Sequence, residues 1–103
     1  MTNTFNHIAV IPARKNSKSL PYKNRILFKY TADFLKKNNL FDKVYVNSDD
    51  IVLKKMGNKY GFIFFKRKKE LAGDRTSIKD VFIDMISKIK FKKNTFIWLF
   101  YIP

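Results

Sequence analysis

The 103-residue sequence has no cysteine, and it has only three glycines and one histidine. Without cysteine the chain can form neither a disulfide nor a thiolate metal site, which is typical of proteins of the reducing cytosol. No glycine precedes Gly57, and this absence excludes both the P-loop and the Gly-x-Gly-x-x-Gly turn of dinucleotide-binding proteins. The longest apolar run, TFIWLFYIP at 95–103, is far shorter than the roughly 20 residues of a membrane-spanning helix. With no signal peptide recognisable, we expect a cytoplasmic protein that does not contact a membrane.

Acidic residues are scarce: 8 Asp and Glu stand against 22 Lys and Arg, and the net charge is +14. One interpretation is a polyanionic partner such as nucleic acid, bound through its phosphates. The other is a compositional bias toward lysine, because lysine pairs recur along the whole chain, at 36–37, 54–55, 68–69 and 92–93. We prefer the second interpretation, and a small basic nucleic-acid-binding module remains the alternative. The charge favours any phosphorylated ligand without identifying one.

Apolar residues recur with two different periods, and the periods alternate along the chain. Short apolar runs rich in β-branched and aromatic residues predict four strands, at 7–12, 43–48, 62–66 and 95–102. Helical spacing predicts three helices between them, at about 27–38, 50–59 and 78–89. The first helix is expected to bury Leu27, Thr31, Phe34 and Leu35. This alternation is typical of a parallel sheet with helices on both faces, a Rossmann-like three-layer α/β/α fold.

Local signals mark the ends of the later helices. Ser48, Asp49 or Asp50 can cap the second helix, although the two carboxylates could instead bind a metal ion; we prefer the cap. Gly61 is expected to end that helix. Ser77, followed by Asp80 three residues later, resembles a capping box before the third helix.

Polar segments follow the first three predicted strands, at 13–24, 47–50 and 67–77. The carboxyl ends of parallel strands share one edge of the sheet, and ligands of such sheets bind beyond that edge. We therefore expect the three segments to meet there. Topology alone makes this edge the candidate site.

The first of these segments is purely cationic. It lies within IPARKNSKSLPYKN, which contains no acidic residue. Arg14 offers a bidentate fork, and Lys18 and Lys23 offer point charges. Ser17 can add a hydrogen bond. Together these side chains predict a phosphate-binding loop.

The same residues resemble a known signature. IPARKNSKSLPYKN is similar to the N-terminal motif of the acylneuraminate cytidylyltransferases, (I/L)-(P/x)-A-R-x-x-S-K-x-(I/L)-P-x-K-N. Two further blocks match in order, since FDKVYVNSDD and ELAGDRTS resemble the family's second-strand block and its Glu-Leu-Ala-x-Asp-x-x-Ser block. Lys23 and Asn24 favour the sialic-acid-like branch, which includes legionaminic and pseudaminic acid enzymes, over the Kdo branch. The resemblance implies the fold of the nucleotide-diphospho-sugar transferases.

The resemblance also implies a reaction. In the family, the anomeric hydroxyl of a nine-carbon sugar acid attacks the α-phosphorus of CTP in the presence of Mg²⁺, giving the CMP-sugar and pyrophosphate. By motif position, Arg14 and Lys23 would hold the triphosphate and act in catalysis. The nucleotide-binding set would be Ala13, Arg14, Ser17, Lys18, Lys23, Asn24, Arg67 and Ser77. The register of Arg67 and Ser77 stays open, because GDRTSIK has one serine where the family often has two.

The resemblance implies family members roughly twice as long as this sequence. Their second half supplies the sugar-acid pocket, a dimerisation segment and the aspartates that bind Mg²⁺. We therefore expect residues 1–103 to be a truncated, N-terminal nucleotide-binding part without metal ligands, inactive alone, whose full-length form is a homodimer. We also expect its last strand to expose apolar residues. A catalytically inactive remnant of the fold is a further alternative, and the sequence does not distinguish among sugar acids.

Overall fold

A computed structural model of the chain describes residues 5–15, 22–73 and 76–102. Within these ranges, strands and helices alternate in the predicted order. The strands are β1 (Asn6–Pro12), β2 (Lys43–Ser48), β3 (Ile63–Lys66) and β4 (Thr95–Leu99), and the helices are α1 (Lys23–Lys37), α2 (Ile51–Asn58) and α3 (Ile78–Ile86). A short 3-10 helix, Lys69–Leu71, follows β3 and was not predicted. Among the described residues, no helix combines the length and apolar character that crossing a bilayer requires.

The four strands form one sheet in the order β3-β2-β1-β4, and every neighbouring pair is parallel. Val10 of β1 lies opposite Tyr45 of β2 and Leu99 of β4, so β1 and β2 end close together at one edge. The central strand β1 is buried over its last five residues. The prediction of a parallel, Rossmann-like α/β sheet is therefore confirmed.

Helices cover both faces of the sheet. Alternate residues of β1 point to opposite faces, so each face receives its own apolar set. The larger core cluster joins β1 and β2 to α1 and α2 and includes Ala9, Ile11, Phe28, Val46 and Leu53. On the other face, Met85 of α3 packs with Ile8, Val10 and Tyr45. These two clusters hold the carboxyl ends of the strands in place.

Helix α1 differs from its prediction in both its start and its buried face. It begins at Lys23, about four residues earlier than expected, because its polar first turn gave no apolar signal. Tyr22, in the left-handed region at φ 62°, precedes it. The helix buries Phe28, Ala32 and Leu35, whereas Phe34, expected inside, is 54% exposed. The early start moves Lys23 from a loop to a helix terminus.

Strand β4 lies at the edge of the sheet and exposes aromatic rings, as expected. Phe96 and Trp98 are 48% and 43% exposed. The Trp98 indole nitrogen donates to Nδ1 of His7 over 3.2 Å, and the His7 ring stacks on Phe96 with centroids 5.4 Å apart. The strand is shorter than predicted, because strand pairing stops at Leu99.

Gly61 ends the second helical segment, as predicted. Its φ is +79°, and its N–H donates to the carbonyl of Asn58 while the Phe62 N–H donates to the carbonyl of Gly57. This pair of bonds is a Schellman motif, in which a left-handed residue closes the helix. Because an L-residue is strained there, we expect Gly61→Ala to lower the free energy of unfolding by about 1 kcal/mol, measured by urea denaturation.

Space does not explain such a loss, because a Cβ at Gly61 meets no atom within 4 Å. Gly61→Asn is the matched variant, since asparagine tolerates the left-handed region better than alanine. It should recover part of the lost stability. Equal stability of the alanine variant and the parent chain would contradict the assignment.

Candidate anion-binding site

A cavity of about 250 Å³ lies at the carboxyl edge of the sheet. Its wall is formed by residues from the end of β1, the first turn of α1, the segment after β3, the start of α3 and the segment after β4. It is lined by Pro12, Arg14, Lys23, Asn24, Arg67, Leu71, Gly73, Thr76, Ile78, Val81, Tyr101 and Ile102. Segments distant in sequence therefore meet where the parallel topology predicted a ligand site.

Four of the predicted site residues line this one cavity: Arg14, Lys23, Asn24 and Arg67. Three of them are cations, and no acidic residue is among the described residues that line the cavity. Ser17 and Lys18 lie outside the described residues. The electrostatics of the cavity therefore favour an anion of several charges.

Two other predicted residues contribute to the backbone architecture instead. Ala13 is buried, and its N–H extends the sheet by donating to the carbonyl of Asn47 over 2.9 Å. The Ser77 hydroxyl caps α3, accepting from the N–H of Asp80 over 3.2 Å, as the capping-box pattern predicted. Neither residue is among those that line the cavity. Direct nucleotide contacts from these two side chains have no support in this geometry.

Hydrogen bonds fix both ends of the cationic loop. The Asn24 side-chain amide donates to the carbonyl of Arg14 over 2.8 Å, joining the first turn of α1 to the segment after β1. The Lys15 N–H donates to the Asp49 carboxylate over 2.7 Å. The loop ends are thus held against each other and against β2. Asn24 therefore positions the loop, whatever it contributes to a ligand.

The amino terminus of α1 adds positive potential to the cavity. Lys23 and Asn24 begin its first turn, which contains no acidic residue, and the N-cap residue Tyr22 makes no side-chain capping bond. The N–H groups of a first turn and the helix dipole attract anions. Sequence reasoning missed this feature because it placed the start of the helix at about residue 27.

Arg67 is the buried cation of the site, with 6% of its surface exposed. Its Nε donates to Oδ1 of Asn47 over 2.9 Å and its Nη2 to the Asn47 carbonyl over 3.3 Å. Burial lowers the pKa of the Arg67 guanidinium; Asp49 opposes this change and the nearby Arg14 cation adds to it. A bound anion would relieve both the burial cost and the repulsion between the two arginines.

A second buried charge, Asp50, has a structural partner. Its carboxylate is fully buried, caps α2 by accepting from the Val52 N–H over 3.0 Å, and accepts two bonds from Arg25, at 2.7 and 2.9 Å. Burial acts to raise the pKa of Asp50, but the bonds from Arg25 and Val52 outweigh it and the pKa is lowered. The preferred interpretation of this acid as a helix cap is confirmed.

The Mg²⁺ implied by the family resemblance finds no ligand set in the described part of the chain. No group of three or more His, Cys, Asp or Glu side chains occurs there. Asp50 is bound to Arg25, and Asp49 accepts from the backbone of Lys15. The surroundings of the cavity are cationic. These residues do not fit a divalent cation.

The part of the cavity wall that comes from α3 and from the segment after β4 was not predicted from the sequence. Tyr101, 57% exposed, and the buried Ile102 reach it from the segment after β4, and Ile78 and Val81 reach it from α3. Only their position after a strand or at a helix start could have indicated them. They give the cationic cavity an apolar side, which suits a ligand with both a charged and a planar or apolar part.

A larger hollow, of about 540 Å³, lies at the amino edge of the sheet. Lys43, Lys90 and Lys92 line it together with Phe91 and Asp42. All three lysines are exposed, so their charges are well solvated. Size favours this hollow, but the buried guanidinium and the helix terminus favour the smaller cavity as the site.

Comparison with known proteins agrees with the motif resemblance. No protein-family model matches the chain. The N-acylneuraminate cytidylyltransferase of Escherichia coli is 37% identical over 76 residues, which are 68% of this chain and 18% of that protein. The chain is a homologue of the N-acylneuraminate cytidylyltransferases. The N-acylneuraminate cytidylyltransferase of Streptococcus agalactiae serotype V is 31% identical over 88 residues, which are 78% of this chain and 21% of that protein.

A solved structure shares the fold. It is that of CMP:2-keto-3-deoxy-manno-octonic acid synthetase complexed with CTP, and it matches with a TM-score of 0.68 at 18% identity. The match covers 91% of this chain and 39% of that one. The present chain thus spans about a fifth of the length of the curated N-acylneuraminate cytidylyltransferases it matches. The family resemblance and the predicted fold are both confirmed over this part.

Proposed function

We propose that the cavity binds the triphosphate of CTP. The chain would then form the nucleotide-binding part of an enzyme that transfers CMP from CTP to a sialic-acid-like, nine-carbon sugar acid and releases pyrophosphate. One observation carries the proposal: three cations and a helix amino terminus converge on a single cavity in a homologue of the N-acylneuraminate cytidylyltransferases. A cytoplasmic location and a homodimeric full-length protein accompany this proposal as family expectations.

The proposed chemistry requires mainly positioning and neutralisation of charge. Attack on the α-phosphorus builds negative charge on the phosphate oxygens and on the departing pyrophosphate, and fixed cations stabilise that charge. Arg14 can hold two phosphate oxygens through its fork, and Lys23 adds a point charge beside the N–H groups of α1. Arg67 supplies a cation whose position is fixed by burial.

Charge-removing variants of Arg14 and Lys23 test the proposal. We expect Arg14→Gln and Lys23→Gln each to weaken CTP binding about tenfold, the loss of one charge-assisted contact of roughly 1.4 kcal/mol. Isothermal titration calorimetry of CTP binding at physiological salt measures the effect. Because the proposal also gives both residues a catalytic role, either substitution should lower the rate of pyrophosphate release by the full-length enzyme by a larger factor than it lowers CTP affinity.

Lys37→Gln is the matched control. Lys37 lies in the last turn of α1 and is exposed, so the variant loses the same charge far from the cavity. Its CTP affinity should equal that of the parent chain. Equal losses of CTP affinity in Lys23→Gln and Lys37→Gln would show that the effect comes from net charge alone, which would contradict the proposed site. Tight, salt-sensitive binding of RNA without any binding of CTP would instead support the nucleic-acid-binding alternative.

A further inference from the structure

We infer that Asn47 is a positioning residue for the anion site, because its neutral amide holds the guanidinium of Arg67 at the cavity without cancelling its charge. This inference rests on the proposed binding of a triphosphate. Asn47 was not among the predicted site residues, and it does not line the cavity itself. It acts through Arg67.

Burial and hydrogen bonds hold the side chain of Asn47 in place. Asn47 is 1% exposed and sits near the end of β2, opposite Pro12 of β1. Its side-chain oxygen and its carbonyl both accept from the Arg67 guanidinium, at 2.9 and 3.3 Å. Its amide nitrogen donates to the sulfur of Met85 over 3.4 Å, which fixes the orientation of the amide. Burial and these hydrogen bonds together hold the Asn47 side chain against Arg67.

A comparison with a carboxylate at position 47 shows the electrostatic effect of asparagine there. A side-chain carboxylate has nearly the same shape and could accept the Nε bond in place of the amide oxygen, but it would form an ion pair with Arg67 and cancel most of its field. Asparagine accepts without neutralising. Among the described residues no carboxylate lies within ion-pair distance of Arg67, and Asp49 acts on its charge only from farther away, so the guanidinium still presents positive charge to the cavity.

The same structure shows the contrasting case. Arg25 directly follows Asn24 of the cavity wall, but it is bound by the carboxylate of Asp50 and does not line the cavity. The half-buried Arg25 thus has a carboxylate partner where the pair joins two helices, whereas the buried Arg67 has an amide partner where the cation faces a ligand site. The choice of amide or acid at position 47 therefore sets the affinity of the cavity for anions.

The test introduces a carboxylate at position 47. We expect Asn47→Asp to weaken the binding of inorganic triphosphate and of CTP about tenfold, at an unchanged or higher melting temperature. Asn39→Asp is the matched control: it is the same isosteric change at an exposed position by the amino edge of the sheet. Its affinity for both ligands should not change.

A second variant covers the possibility that Asn47→Asp fails to fold. Asn47→Ser is neutral but too short to hold the guanidinium, and we expect it to weaken triphosphate binding several-fold. Parent affinity in either folded variant, or equal losses in Asn47→Asp and Asn39→Asp, overturns the inference while leaving the CTP proposal intact. Failure of the unsubstituted chain to bind CTP or triphosphate overturns both.

Discussion

Replacement of Asp50 by alanine is expected to lower the free energy of unfolding by about 3 kcal/mol. The carboxylate is fully buried, and it connects the start of α2 to Arg25 of α1 through two short bonds. The variant loses the helix cap together with the buried half of an ion pair. The loss stays at the lower end of the range for broken buried pairs, because the Arg25 side chain is 27% exposed and can be solvated. Urea denaturation measures it.

The same pair predicts a pH dependence. The pKa of Asp50 is lower in the folded protein than its ordinary value, so the folded state binds this proton less readily than the unfolded state does. The stabilisation from Asp50 is therefore complete above the unfolded pKa of about 3.9 and disappears as the pH falls through the lower folded value. The difference in the free energy of unfolding between the parent chain and Asp50→Ala should be constant near neutral pH and should become smaller at acidic pH.

Asp49→Asn is the control for this prediction. Asp49 is the neighbouring carboxylate and is exposed, and asparagine can still accept the bond from the Lys15 N–H. We expect its stability to lie within about 0.5 kcal/mol of the parent value. A loss in Asp49→Asn as large as that in Asp50→Ala would show that removal of any acid from this basic chain is enough to destabilise it.

The fold could be predicted from the sequence because the local signals and the topology agreed. Alternating apolar periods required a parallel α/β sheet, and the caps at Asp50 and Ser77 and the glycine at position 61 lie where the patterns predicted them. The start of α1 was placed wrongly because its first turn is polar. A polar helix start beside a ligand cavity has no apolar periodicity, so sequence periodicity misses such turns.

The site was only partly predictable for a different reason. Arg14 and Lys23 stand in one cationic segment, so their proximity follows from the sequence. Asn47 lies in β2 and Arg67 directly follows β3, so their contact depends on the parallel pairing of these two strands. The burial that distinguishes Arg67 from the many exposed cations of this chain is a tertiary property. Composition alone therefore could not separate it from the lysines.

The second large effect is expected for Arg67→Met, which should weaken the binding of CTP and of inorganic triphosphate about 50-fold. Methionine fills a similar volume without charge, so the cavity loses its most fixed cation. The free energy of unfolding should change by no more than about 1 kcal/mol, because relief of the burial cost of the guanidinium offsets the two bonds lost from Asn47. Calorimetry of ligand binding and urea denaturation measure the two quantities.

This combination distinguishes binding from structure, since the two buried charges should respond in opposite ways. Asp50→Ala is expected to lose stability and to keep triphosphate affinity wherever it remains folded, whereas Arg67→Met should lose affinity and keep stability. Arg67→Lys, which retains the charge but not the planar fork, should fall between Arg67→Met and the parent chain in affinity. If Arg67→Met instead unfolds at low urea while its folded form binds triphosphate normally, Arg67 is a structural residue and the cavity depends on Arg14 and Lys23 alone.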